Sequence, residues 1–168
     1  MSERSVRTDG ADQRADVPTR HGGPGGGILV TGATGNVGAE VCRFLARTGR
    51  PIYGTTVRDE LAGGGSPLPH VTERLHGATP RVFDFTDPAT WESALAGVSR
   101  VFLMRPPHIS NIRRDMAPFV RFMRQREIEH VVFLSVQGAG KNVVVPHHTV
   151  EVVVREIGLP YTFVRPSF

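Results

Sequence analysis

Three glycines spaced three residues apart, Gly32, Gly35 and Gly38, form the pattern in this sequence that most clearly implies chemistry. They follow a short apolar run typical of a buried strand and precede apolar residues at helical spacing. In such a unit the first glycine allows a sharp turn, the second lets the backbone approach a pyrophosphate, and the third lets the helix pack closely. The helix N–H groups then face the phosphates. The spacing predicts a dinucleotide-binding turn; the alternative is a glycine-rich connection without a ligand.

The end of the second predicted strand carries the next informative pair, Arg58 followed by Asp59. In dinucleotide-binding domains, a residue about twenty positions beyond the turn contacts the adenosine ribose. A carboxylate there favours the free 2′-hydroxyl of NAD, whereas an arginine suits the 2′-phosphate of NADP through charge-assisted hydrogen bonds. Because the arginine comes first, we predict a preference for NADP(H) over NAD(H). The alternative interpretation of Arg58 is a solvated loop charge.

Two other patterns in the sequence do not make a site. Gly138–Asn142 resembles a phosphate loop, but Asn142 replaces the Ser or Thr that would hold magnesium, and Ser135 stands where the first glycine is needed. His147 and His148 are adjacent, so they point in different directions, and we identify no further zinc ligands for them. The one cysteine of the chain excludes an intramolecular disulfide and a thiolate-clustered metal site. We therefore predict no bound metal.

Apolar periodicity divides most of the chain into alternating strands and helices. Pro118 predicts a kink or a late start in the helix over 112–123. The segment 150–157 is ambiguous, because its β-branched residues favour a strand while its i, i+3, i+4, i+7 spacing and the following Gly158 favour a helix; we predict a helix. The predicted strands are 27–31, 52–57, 81–85, 98–104, 130–135 and 161–165, and the other predicted helices are 37–48, a short one around 71–75, and one between Asp87 and Gly97.

Strands separated by helices predict an α/β fold. We expect a doubly wound parallel sheet of about six strands between two layers of helices, which is a three-layer Rossmann fold. Such sheets bind ligands beyond the carboxyl ends of their strands. Residues 1–26 lack an apolar pattern and end in a run of glycines, so we expect a disordered lead-in there, followed by one Rossmann domain over 27–168.

Composition narrows the range of partners. The net charge is +4, but the arginines are spread along the chain and aromatic residues make up only 7% of it, so we predict no nucleic-acid binding. No apolar run approaches the roughly eighteen residues that a membrane helix needs, so we predict no membrane span. The polar start of the chain lacks the apolar region of a secretory signal, and we expect a cytoplasmic protein.

Several sequence blocks together resemble the NmrA-like proteins, atypical members of the short-chain dehydrogenase/reductase superfamily. The resemblance covers residues 28–168. Because the blocks occur in the same order as in that family, they are more specific than the glycine pattern alone. The resemblance implies NAD(P) binding by a Rossmann domain. The blocks are ILVTGATGNVG at 28–38, TVRD at 56–59, DFTDP at 84–88, VFLMRPP at 101–107, HVVFLS at 130–135 and GLPYTFVRPSF at 158–168.

The resemblance also implies which residues contact each part of the cofactor. The glycine turn would surround the pyrophosphate, Arg58 the adenosine phosphate, and Asp84 with Phe85 the adenine. Residues after the fourth strand would lie under the ribose and nicotinamide, and those after the fifth at the nicotinamide end. The implied cofactor-binding residues are Thr31, Gly32, Thr34, Gly35, Asn36, Val37, Gly38, Arg58, Asp84, Phe85, Met104, Arg105, Pro106, Ser135, Val136, Gln137 and Thr149.

The sequence departs from the superfamily at its catalytic pair, Tyr-x-x-x-Lys, in which the lysine lowers the tyrosine pKa for proton transfer. Many NmrA-like chains lack the tyrosine but keep a lysine. Here residues 145–149 are Val-Pro-His-His-Thr, with Thr149 where the lysine is expected. Thr149 can hydrogen-bond to a ribose hydroxyl but supplies no charge. We expect His148 to be the proton donor, with His147 and solvent as alternatives.

Three functions are compatible with this resemblance. The first is an NAD(P)H-dependent oxidoreductase that passes a hydride to a quinone, an azo compound or a small carbonyl compound. The second is a non-catalytic nucleotide-binding redox sensor or regulator, which the missing Tyr and Lys favour. The third is an inactive truncated reductase, stabilised by homo-oligomer formation along its open edge strand. This hypothesis arises because the small domain that roofs the substrate crevice in the family is missing here, and an open pocket does not exclude water.

Overall fold

The computed structural model describes residues 26–61 and 66–167, and the predicted lead-in lies outside them except for Gly26. A six-stranded parallel sheet with the strand order β3-β2-β1-β4-β5-β6 forms its centre. This is the order of the dinucleotide-binding Rossmann fold, so the predicted fold class is confirmed. The strands are β1 (Gly27–Val30), β2 (Ile52–Thr56), β3 (Thr79–Val82), β4 (Val98–Met104), β5 (His130–Leu134) and β6 (Tyr161–Val164).

Helices cross over between consecutive strands, as parallel pairing requires. Short 3₁₀ turns at Ala46–Thr48, Arg58–Glu60 and Pro88–Thr90 extend or replace helical turns. Within the described residues, no helix is both long and apolar enough to cross a membrane. The helices are α1 (Asn36–Leu45), α2 (Pro69–Leu75), α3 (Trp91–Leu95), α4 (Ile112–Asp115), α5 (Ala117–Gln125) and α6 (Pro146–Ile157).

Two apolar clusters cover the two faces of the sheet. Leu29 and Val30 are neighbours in β1, so their side chains point to opposite faces, and each belongs to a different cluster. The smaller cluster joins Val30 to Cys42 of α1 and Leu75 of α2. The larger cluster joins Leu29 to residues of α3, α5 and α6, with the fully buried Phe119 of α5 among them. The three layers are therefore α1 and α2, the sheet, and the remaining helices.

The third strand is displaced from its prediction. Residues 79–82 pair with 53–56 of β2, so the predicted strand 81–85 is wrong over its second half. The Phe83 N–H still donates to the Thr56 carbonyl at 3.0 Å, but beyond it the chain leaves the sheet. Phe83 and Phe85 turn into the core instead, with ring centroids 4.7 Å apart. The apolar alternation that suggested a strand therefore comes from residues that pack beside the sheet edge.

Two helix boundaries also differ from the predictions. The helix predicted over 112–123 is divided into α4 and α5 at Met116, because Pro118 occupies the first turn of a new helix. The helix predicted over 150–157 is confirmed in type, but it begins four residues earlier, at Pro146. Gly158 ends it in a left-handed conformation, with φ +75°. The earlier start matters for function, because it places the two adjacent histidines on the first turn of α6.

Candidate functional site

The glycine turn joins β1 to α1 at the carboxyl edge of the sheet. Gly32 has φ +64°, a left-handed conformation that side chains disfavour. The Gly35 N–H donates to the Gly32 carbonyl at 3.0 Å, and Gly35 is the N-cap of α1. A Cβ at Gly38 would lie 2.1 Å from the Gly32 oxygen, which real structures do not tolerate. The sequence assigned Gly38 to close packing, and the structure shows that it packs against the backbone of the turn itself.

Two buried threonines fix this turn to its neighbouring strands. The Oγ1 of Thr31 accepts a hydrogen bond from the Met104 N–H at 2.7 Å, which ties β1 to the end of β4. The Oγ1 of Thr55 in β2 accepts from the Gly32 N–H at 3.0 Å. Thr31 thus makes a stabilising contact inside the fold, and it also lines the crevice that extends from the turn. The pairing of Thr55 with the turn was not predicted, because it depends on which strand lies beside β1.

Arg74 of α2 reaches across to the outer side of the glycine turn. Its Nη1 donates to the Thr34 carbonyl at 3.0 Å and to Asn36 Oδ1 at 3.3 Å. The side chain is exposed, and it brings a positive charge to the residues that begin α1. The sequence did not identify Arg74, because it lies 40 residues beyond Thr34 and only the packing of α2 on α1 brings the two together.

A crevice of about 210 Å³ extends from the turn over the ends of β2 and β3. It brings together six of the predicted site residues, Thr31, Gly32, Thr34, Asp84, Phe85 and Pro106. Thr56, which the sequence did not single out, is 2% exposed, and its Oγ1 has no hydrogen-bond partner among the described residues. Buried hydroxyls are normally paired, so this one fits a polar group of a bound ligand. The other lining residues are Thr55, Val57, Glu60, Phe83, His108 and Ile109.

Positively and negatively charged side chains lie together at the end of β2. Arg58 lies in the 3₁₀ turn after β2, its side chain is 72% exposed, and its Nη2 is 3.6 Å from an Asp87 carboxylate oxygen. Such an exposed, long ion pair is weak and leaves the guanidinium available. Glu60 lies in the same turn but lines the crevice, and its carboxylate accepts from the Val57 N–H at 3.1 Å. The structure therefore adds a carboxylate to the arginine that the sequence identified.

The two residues predicted beside adenine are held by short-range contacts. The exposed Asp84 carboxylate accepts from both the N–H and the hydroxyl of Thr86, each at 2.7 Å. Its carbonyl accepts from Trp91 Nε1 at 2.8 Å, which fixes the backbone at the crevice rim. Phe85 is 5% exposed and belongs to the larger apolar cluster, so it forms the floor of the crevice rather than a free stacking surface.

A second cavity of about 260 Å³ lies at the carboxyl ends of β4, β5 and β6. It brings together Met104, Arg105, Ser135 and Val136, four residues predicted for the nicotinamide end. Arg105 Nη1 donates to the carbonyls of Pro106, Pro107 and Ile109 at 2.9, 3.1 and 2.7 Å, which holds the guanidinium in place. The remaining lining residues are Pro107, Leu134, His147 and Pro166.

A buried carboxylate stands behind this cavity. Glu151 of α6 is 0% exposed and accepts from the Ser135 hydroxyl at 2.7 Å. It also accepts from Arg165 Nη2 at 2.6 Å and from Arg155 Nη2 at 3.1 Å. Burial alone would raise the pKa of Glu151, but the hydrogen bonds from Arg165, Ser135 and Arg155 outweigh it and lower the pKa to about 2. The network fixes Ser135 and joins α6 to the ends of β5 and β6.

The two histidines of α6 have different surroundings. His148 Nδ1 is 2.7 Å from the Ala139 carbonyl, so this nitrogen is the donor in a loop contact. His147 lines the second cavity and stacks on Phe133, with ring centroids 6.0 Å apart. Burial, followed by the charge of Arg105, lowers the pKa of His147, against the opposing charge of Glu151. His147 is therefore the histidine that faces the predicted nicotinamide end.

Eight predicted site residues line neither cavity: Arg58 and His148, whose contacts are given above, and Gly35, Asn36, Val37, Gly38, Gln137 and Thr149. Gly35, Asn36, Val37 and Gly38 form the start of α1, where the first N–H groups of a helix have no intrahelical partner and favour an anion. Gln137 is exposed in the loop after β5, and Thr149 is half-buried in the first turn of α6. Together the two cavities and the helix terminus form a continuous edge that suits an extended, anionic molecule.

The chain is similar to known proteins over this same region. A family model described as NAD(P)H-binding matches residues 32–168. Prestalk A differentiation protein A of Dictyostelium discoideum is 34% identical over 143 residues, which cover 84% of this chain and 44% of that protein. NAD(P)H azoreductase of Xenophilus azovorans is 29% identical over 150 residues, which cover 84% of this chain and 48% of that protein.

A solved structure with a similar fold is the triphenylmethane reductase of Citrobacter sp. in complex with NADP(H). The TM-score is 0.67 at 25% sequence identity, over 84% of this chain and 49% of that one. The chain thus spans a little under half the length of each of these three proteins.

Proposed function

Because this chain belongs to the family of NAD(P)H-binding domains, we propose that it binds NADP(H) along the carboxyl edge of its sheet and serves as the cofactor half of an oxidoreductase. The observation that carries the proposal is the contact at Gly38, where a Cβ would lie 2.1 Å from the Gly32 oxygen. Such a contact brings the start of α1 against the turn, so its N–H groups and the turn backbone form one anion-binding surface. A turn that binds no ligand would not require the start of α1 to lie this close to the Gly32 carbonyl.

The two cavities divide the cofactor between them. In our proposal the adenosine half occupies the crevice over β1, β2 and β3, beside the Thr56 hydroxyl, which has no hydrogen-bond partner in the described part of the chain. The pyrophosphate lies at the start of α1, and the nicotinamide lies in the cavity beside Met104 and Ser135. Thr149, on the first turn of α6, is proposed to hydrogen-bond to the nicotinamide ribose.

A preference for NADP(H) over NAD(H) is supported by two arginines near the crevice. Arg58 stands at the end of β2 with only a weak ion pair to Asp87, and Arg74 lies beside Thr34. We propose that both approach the 2′-phosphate, to which charge-assisted hydrogen bonds are about twice as strong as neutral ones. Glu60 opposes this preference, because a carboxylate in the crevice repels the phosphate and suits a 2′-hydroxyl instead. We propose that the attraction of the two arginines for the 2′-phosphate is stronger than its repulsion by Glu60.

Bound NAD(P)H supplies hydride transfer, and the chain's residues provide position and charge. The proposed acceptor is a quinone, an azo compound or a small carbonyl compound; the azoreductase named above is a relative that carries one of these activities in its name. His148 is the proton donor expected from the sequence. Its Nδ1 donates to the Ala139 carbonyl, so only Nε2 is left to donate a proton to the acceptor. His147, which lines the cavity, is the better placed of the two.

A non-catalytic nucleotide sensor is the second candidate function. One observation favours it: residues 145–149 contain no tyrosine or lysine, and the lowered pKa of His147 favours the neutral imidazole over the protonated form that could donate a proton. In this case the site would bind NADP(H) with no turnover, and the bound nucleotide would act through its effect on a partner.

Titration with NADPH and NADH, followed by nicotinamide fluorescence, tests the shared claim. We expect saturable binding of NADPH below millimolar concentration and a weaker affinity for NADH. Arg58→Ala should weaken NADPH binding about 10- to 100-fold, the size of a lost charged hydrogen bond, and leave NADH nearly unchanged. Arg47→Ala, an exposed arginine at the other end of α1, is the matched control and should change neither.

Two outcomes of this titration contradict the proposal. Failure of wild type to bind either nucleotide would exclude both the reductase and the sensor. Equal losses of NADPH and NADH affinity in Arg58→Ala would exclude the assignment of the 2′-phosphate to Arg58. Oxidation of NADPH in the presence of a panel of quinones and azo dyes then separates the two functions: turnover supports the reductase, and tight binding without turnover supports the sensor.

A further inference from the structure

The cavity at the ends of β4, β5 and β6 contains an arginine with unused hydrogen-bonding capacity. Arg105 is the one charged side chain among its lining residues in the described part of the chain. Nη1 is engaged by three loop carbonyls, while Nε is buried and has no partner among the described residues. A buried guanidinium N–H without an acceptor is costly, so the position of this arginine at the cavity is not explained by its own hydrogen bonds.

The positive charge of Arg105 is not neutralised by a carboxylate. Among the described residues, the ion pairs within 4.0 Å do not include Arg105. The carboxylate behind the cavity wall, Glu151, already accepts from Arg165 and Arg155. His147 faces the same cavity but is shifted towards its neutral form by burial and by Arg105 itself. The cavity therefore has one fixed positive charge, the guanidinium of Arg105.

We propose that Arg105 stabilises the negative charge that forms on the hydride acceptor, so that hydride transfer does not depend on a proton from His147 or His148. This rests on the proposed function, and it adds a residue role and a substrate class. The acceptor is a small conjugated molecule whose reduced form is a resonance-stabilised anion. A non-conjugated ketone or aldehyde would become an alkoxide, which is too basic to persist without a proton donor, whereas a phenolate resembles ionised tyrosine, with a pKa of about 10.

The reaction balances with a quinone as the acceptor. The quinone receives a hydride, which carries both electrons of the C–H bond broken in the dihydronicotinamide, and one oxygen becomes a hydroxyl. The electron pair of that carbonyl moves through the ring to the opposite oxygen, which becomes a phenolate held by the Arg105 guanidinium. Water later protonates the phenolate, so the quinone is reduced to a hydroquinone and the nicotinamide is oxidised. No protein group has to release a proton during hydride transfer.

The cavity size agrees with this class. Its volume of about 260 Å³ is slightly below the range of roughly 300 to 1,000 Å³ that holds drug-sized ligands, so the acceptor must be small and must lie against the nicotinamide ring, which our proposed function places in the same cavity. Apolar walls from Met104, Leu134 and Val136 would pack against the ring faces, and the Arg105 guanidinium would meet one polar edge.

Binding of 4-nitrophenol tests the role of Arg105 without turnover. Its ionised form absorbs visible light, so absorbance during a pH titration reports the pKa of the bound phenol. With wild type, in the presence of NADP⁺ and in its absence, we expect the bound phenol to have a pKa lowered by about one unit or more, the effect of an adjacent cation. A raised pKa would mark the cavity as simply apolar and would overturn the proposal, whether or not any variant folds.

Variants then assign the effect to Arg105. Arg105→Met should abolish the lowered pKa of the bound phenol and reduce the kcat for quinone reduction about 100-fold, and Arg105→Lys should restore part of both. Arg124→Met, the same substitution on the exposed surface of α5, is the control. Unchanged phenol titration in Arg105→Met would contradict the proposal.

The NADPH affinity of the same preparations separates the two claims. Failure of wild type to bind NADPH refutes the proposed function. Normal NADPH binding without a preference for ionised nitrophenol refutes only the role of Arg105.

Discussion

The two halves of the carboxyl edge are built in different ways. The adenosine half, over β1 to β3, is formed mainly by backbone: a left-handed Gly32, a Gly38 pressed against the turn, and N–H groups at the start of α1. The nicotinamide half, over β4 to β6, is formed by charged side chains, with Arg105 facing the cavity and Glu151 buried behind it. In our proposal the backbone of the first half recognises the pyrophosphate that all dinucleotides share, whereas the second half contacts the nicotinamide.

The largest effect on cofactor binding is expected at the backbone contact of the adenosine half. Gly38→Ala places a methyl group where the Gly32 oxygen lies, so the turn must open. We expect the Kd for NADPH to rise about 100-fold, the equivalent of roughly 2.7 kcal/mol, measured by calorimetry. Gly49→Ala is the control, because Gly49 has open space around it although its φ is +70°. It should cost about 1 kcal/mol of stability and leave the Kd unchanged.

Glu151 tests whether the nicotinamide half depends on its buried network. Glu151→Gln leaves Arg165 and Arg155 without their counter-charge, and we expect a loss of about 3 kcal/mol in the free energy of unfolding at neutral pH. Glu156→Gln on the same helix breaks only an exposed pair with Arg113 and should cost less than about 1 kcal/mol. Urea denaturation measures both values, and equal losses would show that the buried network contributes no more than a surface pair.

The pH dependence of this loss follows from the lowered pKa of Glu151. The pKa is about 2 in the folded chain against 4.5 for an ordinary glutamate, so the stabilisation is complete above pH 4.5 and disappears as the pH falls towards 2. The difference in unfolding free energy between wild type and Glu151→Gln should therefore narrow steadily below pH 4.5. A gap that stays constant over this range would contradict the assignment.

Glu60 gives the smallest expected effect and sharpens the cofactor preference. Glu60→Gln removes a negative charge from the crevice, so we expect NADPH to bind about threefold more tightly while NADH gains nothing, a difference of roughly 0.6 kcal/mol. Asp59→Asn, in the same turn but outside this crevice, is the matched control. An equal gain for both nucleotides would place the 2′-phosphate away from Glu60.

Local sequence patterns were sufficient for the adenosine half. The glycine spacing, the strand before it and the helix after it are contiguous in the chain, so the turn and the Rossmann fold could be predicted, and the family match confirms the resemblance at the level of NAD(P)H binding. Thr55 and Arg74 could not be found in this way. Their contacts with Gly32 and Thr34 span 23 and 40 residues and exist only once β2 and α2 have packed beside β1 and α1.

The sequence predicted that residues after β4 and β5 lie at the nicotinamide end, but it did not predict the contacts that these residues make. The blocks after β4 and β5 identified Arg105 and Ser135, yet the pattern gave no indication that Glu151 would pair with Ser135. It also favoured His148 over His147, and it could not show the direction of either side chain, because the helix start at Pro146 was predicted four residues late. The boundary of β3 was displaced for a related reason, since pairing with β2 rather than apolar alternation sets where that strand ends.

Binding of 2′-phospho-ADP-ribose, which lacks the nicotinamide ring, tests the comparison of the two halves most directly. If the backbone of the adenosine half supplies most of the affinity, calorimetry should give a Kd within about tenfold of that for NADPH, which corresponds to less than about 1.4 kcal/mol. The same fragment should bind far more weakly to Gly38→Ala. Saturable binding of NADPH together with no measurable binding of the fragment would contradict this account, because the affinity would then reside in the cavity at β4 to β6.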